Sequence, residues 1–291
     1  MKNIFEIVFS KSENLLNITL LRKLLFIYVI INFIQLIPFV SELYSVEYSI
    51  IFQRELSAVT INSLVNLLAF KELKNLYWLF FALQVLFSVA GVLGYFTRIS
   101  TMVVWFTTIN LQNRIYSSNT GGDLLLNILL FYLIFISDGR KLKNDELEKI
   151  KNSIDFFFIN LCKFQLIIVY FISALYKVSC NEWIDGTALA RILFVNEYSL
   201  PIISDVASAY STLFKIITWL ILAYQILFPL VLIKSNKVSY LLMIGILFHV
   251  GIALFMGLFN FSLIMIISYV IFIPTYHLKE FSLAKFLVAK K

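Results

Sequence analysis

The sequence predicts an all-α protein: a polytopic integral membrane bundle of about eight transmembrane helices, with both termini cytoplasmic. Three observations lead there. Of 291 residues, 60% are hydrophobic and 14% charged, with a mean hydropathy of +0.89. A soluble domain carries about 25% charged residues, so this chain could not cover the surface of a water-soluble globule. Its apolar residues gather in runs of about 20, the length that crosses a hydrocarbon core of roughly 30 Å. Helices let such runs satisfy their own backbone groups without water. These facts exclude a cytosolic enzyme, a soluble nucleic-acid-binding protein and a disordered chain.

The apolar windows place helices over Leu20–Val40, Leu76–Phe96, Thr101–Tyr116, Asp123–Ser137, Phe156–Val178, Leu213–Ile233, Val238–Phe255 and Leu258–Thr275. The fourth and eighth are the weakest as complete crossings. Between the first two, Ile61–Phe70 is a smaller apolar run, suited to an interfacial or re-entrant piece. Asn181–Tyr210 is a second long connection, with a short helix expected around Thr187–Phe194. No internal repeat or soluble domain interrupts the chain. It reads as one transmembrane domain over 1–291, with its core at 20–275 and a basic tail at 276–291. The first 19 residues mix charges with scattered apolar residues, so no cleavable signal peptide is expected.

The net charge of +7 is a topology signal rather than a nucleic-acid footprint. With eight crossings and the amino terminus inside, 16 of the 24 basic residues fall on the cytoplasmic side. Six lie outside: Arg54, Lys71, Lys74, Arg114, Arg191 and Lys215. Asp138–Asp155, dense in both signs, reads as a solvated cytoplasmic linker. The tail alternates Lys279, Lys285, Lys290 and Lys291 with Phe281, Leu283, Phe286 and Leu287, a pattern that suits the inner leaflet. Cys162 lies within a predicted span and Cys180 just beyond its end, so no internal disulfide is expected.

Polar residues inside spans are costly and are therefore the default site candidates. Asn110, Asn113 and Arg114 share a face at the end of the third span. A short turn with Gly121 and Gly122 leads to Asp123 at the next helix start. There a carboxylate can cap free amides, and it can also pair with Arg114. A capped hairpin and a binding site are both compatible with that pattern. In the fifth span Lys163, Tyr170, Ser173, Lys177 and Cys180 form one polar stripe within about 100°. Lys163, nearer the cytoplasmic end, can snorkel to headgroups. Lys177, at the outer end, is partly withdrawn from water and is a candidate base; a salt bridge to Glu182 or Asp185 is the competing account. Trp183 suits an interfacial belt.

His249 lies in the seventh span without a second His or a carboxylate at i+3 or i+4, which argues against a zinc site. A hydrogen-bonded interior role and a ligand role both stay open. With the predicted topology, Arg114, Asp123, Lys177, Trp183 and Asp185 gather at the outer boundary, and His249 points into the outer half of the bundle. One polar pocket opening outward is the economical reading.

The segment VYFISALYKVSCNEWIDGTAL, Val169 to Leu189, resembles the horizontally transferred transmembrane family, the membrane domain shared with vitamin K-dependent γ-glutamyl carboxylase. It matches a Val-Tyr-Phe start, a small-residue pair, a basic residue near the helix end and a following Trp-x-x-Gly. Supporting segments run from Arg114 through Asp123 and from His249 to Pro274. The resemblance covers roughly Leu20 to Pro274. It implies that Lys177 occupies the place of the base that deprotonates vitamin K hydroquinone, and that a membrane quinol can serve as cofactor. Where the carboxylase has an Asn-His pair, this chain reads Gly121-Gly122-Asp123, and no large lumenal domain is expected after the last span. Both departures point away from glutamate carboxylation. Family members of similar length include the sporulation-delaying-protein B type, which implies maturation of a secreted peptide toxin with a small partner protein.

The sequence therefore favours a membrane enzyme, or enzyme subunit, that modifies or matures an exported peptide at the outer face. Lys177 and His249 are its candidate catalytic residues. Arg114, Asp123, Tyr170, Trp183 and Asp185 are its candidate substrate-binding residues. Two other classes compete: a non-catalytic or immunity-type partner that binds an exported peptide, and a small-solute transporter. The transporter lacks paired Gly/Pro breaks in matching halves. Lipid is the expected surrounding, and nucleic acid is not an expected partner.

Overall fold

A computed structural model describes residues 14–45, 65–69, 73–139, 142–195, 205–206, 209–234 and 238–273. Among them every regular element is helical. The helices are α1 (Asn14–Leu36), α2 (Val40–Tyr44), α3 (Tyr77–Leu93), α4 (Thr97–Arg114), α5 (Gly121–Phe135) and α6 (Asp145–Val178). After them come α7 (Asn181–Ile184), α8 (Ala188–Leu193), α9 (Ser211–Lys234), α10 (Val238–Met256) and α11 (Phe259–Ser268). Helices thus occupy all eight positions expected from the apolar windows, and α8 falls on the expected short connection helix. Among the described residues four stretches are long and apolar enough to cross a bilayer: Leu15–Tyr44, Asp145–Val178, Ser211–Leu230 and Val238–Met256. The chain is a helical membrane protein. Half of Ile61–Phe70 (61–64 and 70) and the whole basic tail lie outside the described residues.

One boundary differs from the expectation and has a clear cause. The stretch read as a linker before Phe156 is largely helical, because α6 starts at Asp145. The Asn144 side chain accepts from the amides of Glu146 and Leu147 at 2.9 and 3.2 Å, which caps free donors. Asp145, Glu146 and Glu148 fill the first turn, where the helix dipole favours negative charge. At 34 residues, α6 runs about 51 Å at 1.5 Å per residue.

Two compact units divide the chain, with the boundary inside α6: Leu15–Ile159, and Asn160–Thr275. In the first, α3 and α4 meet at a tight turn where Gly94 has φ +86°, a conformation that glycine adopts without a Cβ penalty. Gly91 faces the ring of Phe26, which occupies the space a Cβ would need, so α1 and α3 approach closely. Lipid is as apolar as a helix face, so close packing and interhelical hydrogen bonds hold such bundles together. Gln84 supplies one, donating to the Thr108 hydroxyl at 2.8 Å.

Charge is used in this unit to close helix ends. The last carbonyls of a helix have no internal partner. At the end of α5, Arg22 of α1 donates to the carbonyls of Leu133 and Ile136 at 2.8 and 2.9 Å, and to Asp138 at 3.0 Å. Arg98 adds bonds to Phe135 and Ile136. Asp155 of α6 accepts from the Ser137 amide at 2.7 Å and from its hydroxyl. Arg22 and Lys23, counted above toward the cytoplasmic surplus, are both buried. At least Arg22 is there for the fold.

In the second unit the inward face of α6 presents Cys162, Lys163, Leu166 and Tyr170, all buried. Lys163 therefore does not snorkel, because its spacing of three and seven from Leu166 and Tyr170 aims it with them. The connection after α6 is pinned to α9. Trp219 donates its indole N–H to the Ile184 carbonyl at 3.0 Å, and the Leu189 amide reaches the Thr218 hydroxyl at 3.3 Å. Gly257, at φ +68°, turns the chain from α10 into α11.

Candidate functional site

Tyr170, Ser173 and Lys177 recur at spacings of three and four and so share one face of α6. With the connection helices, α9, α10 and α11, that face bounds a cavity of about 250 Å³. Its walls are mostly apolar, with Ile192, Ile221, Ile252 and Phe261 among them. Two polar groups enter it.

The first is built on Lys177. Its amine donates to the Ser173 hydroxyl at 2.7 Å and lies 4.9 Å from the centre of the Trp183 ring. A cation over an aromatic face is stabilised by about 0.5–2 kcal/mol, depending on desolvation. Ser173 in turn donates to the Gln225 side-chain oxygen at 3.4 Å. Gln225 sits four residues before Pro229, whose missing N–H leaves the Gln225 carbonyl without its helical donor. Polarity is thus concentrated on one turn of α9.

The second group is a chain of rings. The Tyr170 hydroxyl meets His249 Nε2 at 2.6 Å and also meets the Tyr269 hydroxyl. Tyr269 continues to Tyr224 at 3.2 Å. A phenol can donate once and accept as well, so the four residues can be bonded in series. Gly245 of α10 lets the hydroxyls of Tyr224 and Tyr269 press against the helix backbone, in the space a Cβ would fill. His249 is 1% exposed, and its Nδ1 has no hydrogen-bond partner among the described residues.

Four of the seven expected site residues, Tyr170, Lys177, Trp183 and His249, therefore line one cavity. Asp185 belongs to the same unit but turns to Thr187, accepting from its hydroxyl at 2.7 Å and its amide at 2.8 Å. Those two bonds hold the Asp185 carboxyl below the usual carboxylate range. Glu182 pairs with Arg191 at 3.1 Å.

Arg114 and Asp123 belong to the other unit. Arg114 donates to the carbonyls of Leu68, at 2.6 Å, and Tyr44, at 3.0 and 3.1 Å. Asn110 and Asn113 reach the same segment, through the Leu67 amide and the Val65 carbonyl. The shared face of these three residues thus anchors the backbone of residues 65–68. Asp123 accepts from the amide and hydroxyl of Thr120, both at 2.8 Å, and from Gln112 at 3.2 Å, as a helix-capping carboxylate does.

Sequence reasoning passed over Gln225, Tyr224 and Tyr269. Gln225 carried a usable signal, an amide inside an apolar span close to a proline. The two tyrosines did not, since a tyrosine in such a run is as consistent with an interfacial belt.

The sequence pattern of the HTTM domain matches residues 19–276. The chain belongs to the HTTM family. Among curated relatives of this HTTM protein is sporulation-delaying protein SdpB of Bacillus subtilis, 25% identical over 195 residues, covering 62% of this chain and 59% of the relative. The uncharacterized protein YitO of the same organism is 28% identical over 208 residues, covering 66% and 64%. The chain thus spans less than two thirds of the length of either relative. No solved structure matches it.

Proposed function

We propose that this HTTM protein modifies or matures an exported peptide, with Lys177 as the base. The observation that carries the reading is the convergence of Lys177, Ser173, Gln225, Tyr170 and His249, from three helices, on one apolar cavity. An amine partly withdrawn from water and held by Ser173 is placed to take a proton from a bound substrate. The resemblance to the sporulation-delaying-protein B type, which implies maturation of a secreted peptide, supports a role with an exported peptide. His249 supplies a hydrogen-bonding partner, and Trp183 covers the amine. We assign Arg114 and Asp123 to support of the fold. A membrane quinol remains the cofactor that the family suggests, and Lys177 is the residue that would face it.

In this reading the chain crosses the bilayer eight times as one transmembrane domain, both termini are cytoplasmic, and the cavity lies at the outer face. Lys177→Met is expected to lower peptide maturation at least a hundredfold in cells that express peptide and protein together, as followed by mass spectrometry. Maturation at the normal rate would remove Lys177 as base and leave a non-catalytic peptide-binding partner. Orientation has its own test. Cys180 is exposed and Cys162 buried, so a membrane-impermeant maleimide is expected to label the native chain at Cys180 in intact cells. Labelling only after permeabilisation would reverse the topology.

A further inference from the structure

The side-chain amide of Gln225 is committed at its oxygen and open at its nitrogen. Lys177 donates to the Ser173 hydroxyl at 2.7 Å, so the one hydroxyl hydrogen of Ser173 goes on to the Gln225 oxygen at 3.4 Å. That order settles which way the amide faces: Oε1 toward Ser173, and the Nε2 group away from it. Gln225 is 5% exposed and lines the cavity of the second unit. Its Nε2 donates to no acceptor among the described residues. Nor is it sealed in. The side-chain polar atoms of this unit that are both enclosed and unpaired, among those residues, are Asn160 Oδ1, His249 Nδ1 and Ser262 Oγ. The Gln225 nitrogen therefore opens on the cavity near the Lys177 amine, with a single hydroxyl linking the two side chains.

Buried polar groups are nearly always paired, and the partner that an amide N–H takes is an acceptor oxygen. The rest of the wall selects the body that carries this oxygen. Trp183, Ile192, Ile221, Phe248, Phe261 and Met265 make it apolar and largely aromatic. The volume, about 250 Å³, lies above the roughly 150 Å³ that holds a benzene ring. It lies below the roughly 300 Å³ at which pockets for drug-sized ligands begin. One large apolar side chain with its adjoining peptide group fits between those bounds, and a longer segment does not.

We propose that Gln225 is a substrate-binding residue, whose Nε2 donates to a main-chain carbonyl oxygen of a peptide while the bulky apolar side chain beside that carbonyl fills the cavity. The class of ligand rests on the peptide reading above. A neutral acceptor leaves the Lys177 amine available for its proposed role and seats the bound residue next to it. The cavity thereby selects peptides by one residue, the one presented to Lys177.

The probe is radiolabelled N-acetyl-L-phenylalanine methylamide, with the full chain in phosphatidylcholine nanodiscs and empty nanodiscs as the blank. Saturable binding is expected, and the alanine analogue should bind at least tenfold more weakly. With carbon-13 at either carbonyl in turn, one of the two infrared bands should move to lower frequency on binding, as a hydrogen-bonded carbonyl does. Gln225→Met, close in shape, should abolish that shift and weaken binding about fivefold. A second measurement needs no variant: replacing the shifted carbonyl by a thiocarbonyl, a poorer acceptor, should weaken binding to the wild type by a similar factor. Absence of saturable binding, carbonyl bands that do not move, or a shift that survives Gln225→Met would overturn the proposal. Tighter binding of N-methyldecanamide than of the phenylalanine probe would also overturn it, by giving the cavity to a lipid chain. Maturation in cells carrying Lys177→Met is a separate readout. A carbonyl bond at Gln225 with normal maturation removes the base and keeps this inference; lost maturation with no carbonyl bond does the reverse.

Discussion

Replacing Arg22 with Met is expected to cost about 3–5 kcal/mol of stability, the sum of its two buried charge-assisted bonds to carbonyls at the end of α5. The guanidinium is 3% exposed and serves three acceptors: the Leu133 carbonyl, the Ile136 carbonyl and Asp138. Each charge-assisted bond contributes about 1.5–3 kcal/mol, and both carbonyls are left without this donor when it goes. Two such bonds alone account for the figure. Arg22→Lys should fall between, because an ammonium point charge cannot span acceptors that a planar fork reaches together. Unfolding of the purified chain in mild detergent measures the effect. A loss under about 1 kcal/mol would put Arg22 with exposed ion pairs, which contribute little.

Gly245→Ala is the second large effect, and its sign makes it informative. In an ordinary helix interior that exchange gains about 1 kcal/mol of propensity. Here the new methyl enters the space held by the hydroxyls of Tyr224 and Tyr269. Overpacking costs about 1–3 kcal/mol, so the net expectation is a loss of up to about 2 kcal/mol. The disturbance should travel, because Tyr269 bonds Tyr170, and Tyr170 holds His249 Nε2. Nitrogen chemical shifts of His249 in isotope-labelled protein should therefore move, although position 245 is one full turn away on α10. A variant as stable as the wild type, with unchanged His249 signals, would show that the ring chain does not set the histidine.

Much of this molecule was legible because two physical rules act strongly on it. Length and apolarity fix where helices can run in lipid, and α3, α5 and α10 lie close to their apolar windows. The period of 3.6 residues then puts Tyr170, Ser173 and Lys177 on one face. Partner choice was less visible. Arg114 and Asp123 looked like a pair across a turn, yet each has nearer backbone work to do, on Leu68 and Tyr44 in one case and on Thr120 in the other. Spacing along the chain says which residues can meet, whereas competition among acceptors decides which do. Arg22 teaches the same point, since a count of basic residues cannot separate a surface charge from one consumed at a helix end. Gln225 reaches the cavity, and Tyr269 reaches Tyr170, from segments distant in sequence, which local patterns do not encode.

Helix α6 has a mechanical consequence. Between Asp145 and Val178 it contains neither glycine nor proline, so no residue offers a soft joint. Its length of about 51 Å exceeds a hydrocarbon core of roughly 30 Å, which obliges its charged first turns to stand outside the apolar layer. Within the second unit the helix is therefore stiff from Asn160 to Val178, so its last turn holds Lys177 at a fixed rise from Tyr170.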